Sequence, residues 1–180
     1  FGQGIAVTPL QMARAVAVIA NGGRLPSLQL VKNDTEYNSR PVVSEETASK
    51  VREMMYAVVE DSHGTGKKAA IDGVRIGGKT GTAQKARKNG RGYADGKYIA
   101  SFVGFADAAS LGIRERLVLV VSVDEPNTTS IYGGTLAAPV FQRITQRVLH
   151  LLATRQQLDS AGSGSKGESG AKLYRAAFGA

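Results

Sequence analysis

Cysteine is absent from the 180 residues. The chain therefore has no disulfide, no zinc–thiolate site and no thiol nucleophile. The absence fits an exported protein, although many cytosolic domains share it. Histidine occurs only at His63 and His150, far apart in sequence. His63 lies in the loop-like stretch DSHGTGKK and His150 near a helix end, so both read as ordinary surface residues, and no metal site is expected. No apolar run approaches the roughly 18 residues of a membrane-spanning helix. The opening FGQGIAVTPL carries no basic region and no cleavage site, so no signal peptide is visible. A start at Phe1 reads as the interior of a longer protein.

Hydrophobic residues make up 42%, enough for a core, and the length suits one domain or a large piece of one. The net charge is +8. Most of it falls in residues 67–97, where nine Lys/Arg face two Asp. Such a stretch is either a solvated basic loop or a field that attracts carboxylates, phosphates, nucleic acid or anionic wall polymers. Its aromatics are few, Tyr93 within it and Tyr98 just after it. A base-stacking platform is poorly supported, and no nucleic-acid partner is expected.

Residues 8–21 predict a helix. Thr8 suits the N-cap, Pro9 the first turn, and Asn21-Gly22-Gly23 the stop. Its apolar stripe is Leu10, Ala13, Val16, Ala17 and Ala20. Residues 44–60 predict a second helix, capped by Ser44, with Glu45 and Glu46 complementing the dipole. Val51, Met54, Met55 and Val58 form its stripe, with methionine as core filler. Three strands follow at 73–84, 97–106 and 117–123. The last is almost continuously apolar, as expected of a strand covered on both faces. A third helix is predicted from Pro139 to Leu152, with Val140, Phe141, Ile144, Val148 and Leu151 on one side. From Ala153 the chain becomes Gly/Ser-rich, and 153–180 reads as a flexible tail.

The stretch DGVRIGGKTGTAQ, residues 72–84, supports two chemistries. Gly73 through Gly78-Lys79-Thr80 spells a phosphate loop, and Asp124-Glu125 after an apolar strand imitates its magnesium-binding partner. A phosphate loop must open directly into a helix, whose N-terminus binds the anion. Residues 81–96 show no helical stripe. Parallel strands would also need crossovers, and the gaps of residues 85–96 and 107–116 are short and show no helical period. An antiparallel meander fits better. The other reading is Lys79-Thr80-Gly81 as the Lys-Thr-Gly triplet of the penicillin-recognising serine enzymes.

Three letters are weak, but their surroundings are specific. FGQGIAVTPLQMARAVAVIANGG, GGKTGTAQ, YIASFVGFA, LVVSVDEP and YGGTLAAPVF occur in that order. Together, over residues 1–152, they resemble the C-terminal half of the transpeptidase domain of class B penicillin-binding proteins. The resemblance implies an α+β, serine β-lactamase/transpeptidase-like fold, with an antiparallel sheet edged by the triplet strand and packed with helices. It implies peptidoglycan D,D-transpeptidation through an acyl-serine, inhibited by β-lactams, with no cofactor. D,D-carboxypeptidases and penicillin sensors share the triplet.

Carried over by position, Lys79 places its ammonium in the site and Thr80 binds the substrate carboxylate. Gly81 lets substrate lie flat on the backbone, and the Thr82 amide forms half of an oxyanion hole. Tyr132 and Gly133 fall on the aromatic-Gly-Gly segment at the cleft rim, where Tyr132 is either a rim residue or an ordinary loop aromatic. The implied partners are stem peptides, β-lactams, the N-terminal half of the domain and membrane-bound cell-wall synthesis proteins. The implied location is the inner membrane, with the catalytic domain on its outer side.

The sequence departs from the family in two motifs. No S-x-N occurs, and the one S-x-x-K, Ser163-Gly164-Ser165-Lys166, lies in the Gly/Ser-rich tail, where a nucleophile would lack a rigid setting and a base. The chain is therefore expected to hold the binding wall without the nucleophile. It is also expected to be stable only beside the other half or in a swapped assembly, because strand 117–123 would otherwise leave an open edge.

Overall fold

The computed structural model describes residues 3–31 and 38–162. Helix α1 (Pro9–Ala20) starts where the capping residues place it. Thr8 Oγ1 accepts from the Gln11 amide at 3.2 Å, and Gln11 Oε1 accepts from the Thr8 amide at 2.8 Å, a reciprocal capping box. The helix ends at Asn21. Gly23 then turns the chain at φ +85, packed so closely on Val43 that a side chain there would meet its carbonyl oxygen. A short ribbon of β1 (Arg24–Pro26) and β2 (Ser39–Pro41) follows, which sequence periodicity did not predict. Helix α2 (Glu45–Glu60) is capped by Ser44, whose hydroxyl accepts from the Thr47 amide at 3.1 Å.

The centre is an antiparallel sheet in the order β3 (Arg75–Ala86), β4 (Tyr93–Asp107), β5 (Leu117–Asp124). It is the meander that short, helix-free connections predict. Helices α3 (Gly133–Leu136) and α4 (Ala138–Gly162) complete the described chain. Along β4 the side chains alternate between faces. Phe102 and Ala106 join Ile76, Val121, Phe141 and Leu149 in one cluster, and the Phe102 and Phe141 rings meet edge-on at 4.9 Å. On the other face Phe105 packs with Val16, Ala20 and Tyr56, its ring 5.4 Å from that of Tyr56. The sheet thus lies between α4 on one side and α1 and α2 on the other.

Several expectations need correction. The stripe of α2 is rotated: Ala48, Tyr56 and Val59 are buried, while Met54 is 66% exposed. In α4 the buried line is Phe141, Thr145, Leu149 and Ala153, an i,i+4 row that includes a threonine, and Ile144 and Leu151 face outward. In α1, Leu10 is likewise exposed. Helix α4 does not stop at Leu152 but runs to Gly162, so the first ten residues of the expected tail are helical. The remainder, including Ser163 and Lys166, lies outside the described residues. Strand β5, by contrast, is as expected: among the described residues it pairs only with β4, and its outer edge is open.

Candidate active site

Strand β3 carries the triplet at an open sheet edge, since among the described residues β4 is its only strand partner. The glycines before it are explained by packing. A Cβ on Gly77 would sit 2.3 Å from the Phe105 ring, and one on Gly78 would sit 2.2 Å from the Phe102 ring. Two large aromatics on β4 therefore require two bare positions on β3. Lys79-Thr80 continues as strand, opposite Val103 and Phe102, and no helix follows it. That geometry excludes the phosphate loop. Asp124, the imitation magnesium ligand, instead accepts from Lys85 Nζ at 2.8 Å.

A groove of ≈ 620 Å³ runs along this edge. Lys79, Thr80 and Thr82 line it from β3, and Tyr132, 64% exposed at the N-cap of α3, lines it as well. Lys79 is exposed, and its ammonium donates to the Thr80 carbonyl at 2.7 Å. The Thr80 and Thr65 hydroxyls lie 3.0 Å apart. The Thr82 hydroxyl accepts from the Gly133 amide at 3.4 Å, which ties β3 to the start of α3. Gly133 is buried against the strands: a Cβ there would lie 2.0 Å from Ser101 O and 2.6 Å from Gly81 O. Gly134 is equally confined, 2.1 Å from Thr65 O. Gly81 is less so, because the atom it would meet, at 2.6 Å, is the Ser101 hydroxyl.

All six residues expected at the site thus gather at or directly behind the groove. Sequence reasoning missed Thr65, Gln84, Tyr98 and Gln3, which also line it. Gln84 was legible, because it continues the Thr80, Thr82 alternation on the same strand. Tyr98 is its cross-strand partner, and Gln3 donates to its side-chain oxygen at 2.8 Å. Thr65, in a loop after α2, had no local signal.

The basic stretch is partly neutralised. Arg75 pairs with Glu60 at 3.1 Å and Glu53 at 3.4 Å, and its guanidinium covers the Tyr56 ring at 3.7 Å. Hydrogen bonds to those glutamates push its pKa up. Burial, then Asp107, raises the Tyr56 hydroxyl. Lys85 bonds Asp124 at 2.8 Å and Glu125 at 2.7 Å, and both raise its pKa. Lys97 reaches Glu125 at 3.1 Å, and Lys85 followed by Lys97 holds the Glu125 carboxyl below the ordinary glutamate range. Glu125 adopts φ +46, with its amide donating to Tyr98 O at 2.9 Å. Among the described residues, no group of three His, Cys, Asp or Glu is placed to hold a metal. No described helix is long and apolar enough to cross a membrane.

Residues 1–146 match the penicillin binding protein transpeptidase domain. The chain is 40% identical, over 152 residues, to the probable peptidoglycan D,D-transpeptidase PenA of Neisseria flavescens, covering 84% of this chain and 36% of that protein. It is 39% identical to the peptidoglycan D,D-transpeptidase FtsI of Escherichia coli, covering 93% of this chain and 27% of FtsI. Among solved structures it superposes on the transpeptidase domain of Burkholderia pseudomallei penicillin-binding protein 3. The TM-score is 0.71 at 42% identity, over 84% of this chain and 44% of that one. Penicillin-binding protein 3 of Mycobacterium tuberculosis, solved with aztreonam, matches with TM-score 0.65 and 32% identity, over 82% and 36%. The chain therefore spans less than half the length of each of these relatives.

Proposed function

The chain belongs to the penicillin-binding protein transpeptidase family, and from that membership we propose that it forms the substrate-binding wall of a peptidoglycan D,D-transpeptidase. The observation that carries this reading is the β3 edge, open among the described residues, with Lys79, Thr80, Thr82 and Tyr132 lining one groove. A peptide added along that edge gains backbone hydrogen bonds, as strand addition does elsewhere. Its D-Ala-D-Ala carboxylate binds the Thr80 hydroxyl, beside the Lys79 ammonium. Its scissile carbonyl points at the Thr82 amide, one donor of the oxyanion hole.

The nucleophile in this reading is a serine of an S-x-x-K motif outside residues 1–152. The serine oxygen bonds to the D-Ala carbonyl carbon. The peptide C–N bond then breaks, and D-Ala leaves with the proton the serine gave up. An amine of a neighbouring stem peptide next attacks the ester, forming the cross-link and returning a proton to the serine. β-Lactams enter the same path and stop at the ester. Residues 1–152 serve as the C-terminal half of the catalytic domain. A serine-bearing half completes it, and a membrane anchor holds the enzyme on the outer side of the inner membrane beside other wall-synthesis proteins.

Intact-mass spectrometry after incubation with benzylpenicillin tests this. The expected result is one adduct when the chain is joined to its serine-bearing half, and none on residues 1–180 alone. An adduct on the isolated chain, or none on the joined protein, would overturn the assignment. Transfer to a peptide amine, rather than to water, separates transpeptidase from carboxypeptidase.

A further inference from the structure

Strands β3 and β4 extend beyond the sheet. Pairing of β4 with β5 ends at Ile99–Asp124, whereas β3 and β4 stay paired through Gln84–Tyr98 and Ala86–Tyr93. Arg87 N–H then donates to Gly92 O at 3.1 Å and closes a turn over residues 88–91. The result is a two-stranded finger in line with the groove. Residues 85–97 carry five cations against Asp95 alone. At the base of the finger Lys85 and Lys97 are compensated by Asp124 and Glu125, and Arg87 lies 3.8 Å from Asp95. Lys88 and Arg91, both exposed at the tip, have no ion-pair partner among the described residues. The acids that neutralise the base leave the positive field concentrated at the tip.

Resting on the proposed transpeptidase reading, the direction of a bound donor peptide follows. Its terminal carboxylate lies at Thr80 and its scissile carbonyl at Thr82, so its upstream residues run toward Gln84 and the tip. Strand residues advance about 3.4 Å each, which puts the turn about 20 Å beyond Thr82. Going upstream from the scissile carbonyl, standard bond lengths carry the penultimate D-Ala, a diamino acid and a γ-linked glutamate roughly 12 Å. The glutamate α-carboxylate then lies level with Lys85 and Ala86, about one extended lysine or arginine side chain from the turn. We infer that the β3–β4 finger is an acidic-donor subsite, in which Lys88 and Arg91 select donor peptides carrying a free carboxylate two residues before the D-Ala-D-Ala end.

The test uses the chain joined to its serine-bearing half and two probes, L-Ala-γ-D-Glu-L-Lys-D-Ala-D-Ala and its isoglutamine form. The two differ by a single carboxylate. At low salt the acid form is expected to show a KM about 3- to 10-fold lower, the range for two exposed ion pairs. The difference should shrink toward unity in roughly 0.5 M salt, where screening is nearly complete, and in a K88Q/R91Q variant. Equal KM values for the two peptides at low salt, or a preference that survives both salt and the variant, would overturn the subsite. So would a polyanion such as heparin competing equally against both peptides, which marks a nonspecific basic patch. Benzylpenicillin adduct formation by the unsubstituted protein separates the two levels. An adduct with no peptide preference removes the subsite and leaves the transpeptidase reading standing, whereas no adduct removes both.

Discussion

Replacing Gly133 with alanine sets two physical effects against each other. Gly133 is the first residue of α3, and by helix propensity alone alanine would add up to about 1 kcal/mol. Packing opposes it. The new Cβ would sit 2.0 Å from Ser101 O and 2.6 Å from Gly81 O, well short of the 3.4 Å of ordinary contact. Both atoms belong to the backbones of paired strands and cannot rotate away. Helix α3 must therefore lift off the sheet by more than an ångström, losing the bond from the Gly133 amide to Thr82 Oγ1. Overpacking of this kind costs about 1–3 kcal/mol, and the rigid partners place this site at the upper end, about 2–3 kcal/mol net. Gly81→Ala is the control. It meets only the Ser101 hydroxyl, which can change rotamer, so it should cost less than about 1 kcal/mol. Urea unfolding of the chain joined to its serine-bearing half, followed by circular dichroism, reads both. For Gly133→Ala a Tm fall of a few degrees should accompany the loss. A Gly133→Ala protein as stable as its parent, or a costlier Gly81→Ala, would refute the packing argument.

Three further outcomes follow from the same structure. Phe102→Ala empties a fully buried site that leans on Gly78 and Phe141, and should lower unfolding free energy by about 3–5 kcal/mol; a loss under 1 kcal/mol in denaturant titration would contradict that core. The Glu125 carboxyl is held low by Lys85 and Lys97 and the Lys85 ammonium is held high, so their contribution is complete between the two ordinary values. It fades as pH falls through the depressed Glu125 pKa or rises through the raised Lys85 pKa. Carboxyl-carbon NMR titration should show the Glu125 pKa rising in Lys85→Met, and no movement would show that the pairing is absent in solution. Among the described residues strand β5 leaves its outer ladder open, so residues 1–180 alone should self-associate as concentration rises; a monomer with a sharp melting transition at all concentrations, by light scattering and calorimetry, would argue against it.

The residues that punctuate the chain were legible in sequence. Thr8 and Ser44 start helices because their hydroxyls cap the amides three positions on. The meander follows because the connections between its strands are too short for crossovers. The triplet strand and Gln84 follow from alternation, a property of neighbouring residues. Other features depended on contacts between distant parts of the chain. Periodicity identified α2 and α4 as amphipathic, but only the packed sheet decided which side is buried, leaving Met54, Ile144 and Leu151 outside. Gly78 spelled part of a phosphate loop until the Phe102 ring occupied the space above it, as Phe105 does above Gly77. Lys85 was one charge in a basic run until the fold brought Asp124, 39 residues later, to 2.8 Å. Thr65 joined the groove only because the chain after α2 passes within 3.0 Å of Thr80. Local pattern sets backbone conformation through short-range sterics and hydrogen bonding. Partner choice across tens of residues is set by the packing of whole surfaces, and tertiary structure alone decided it.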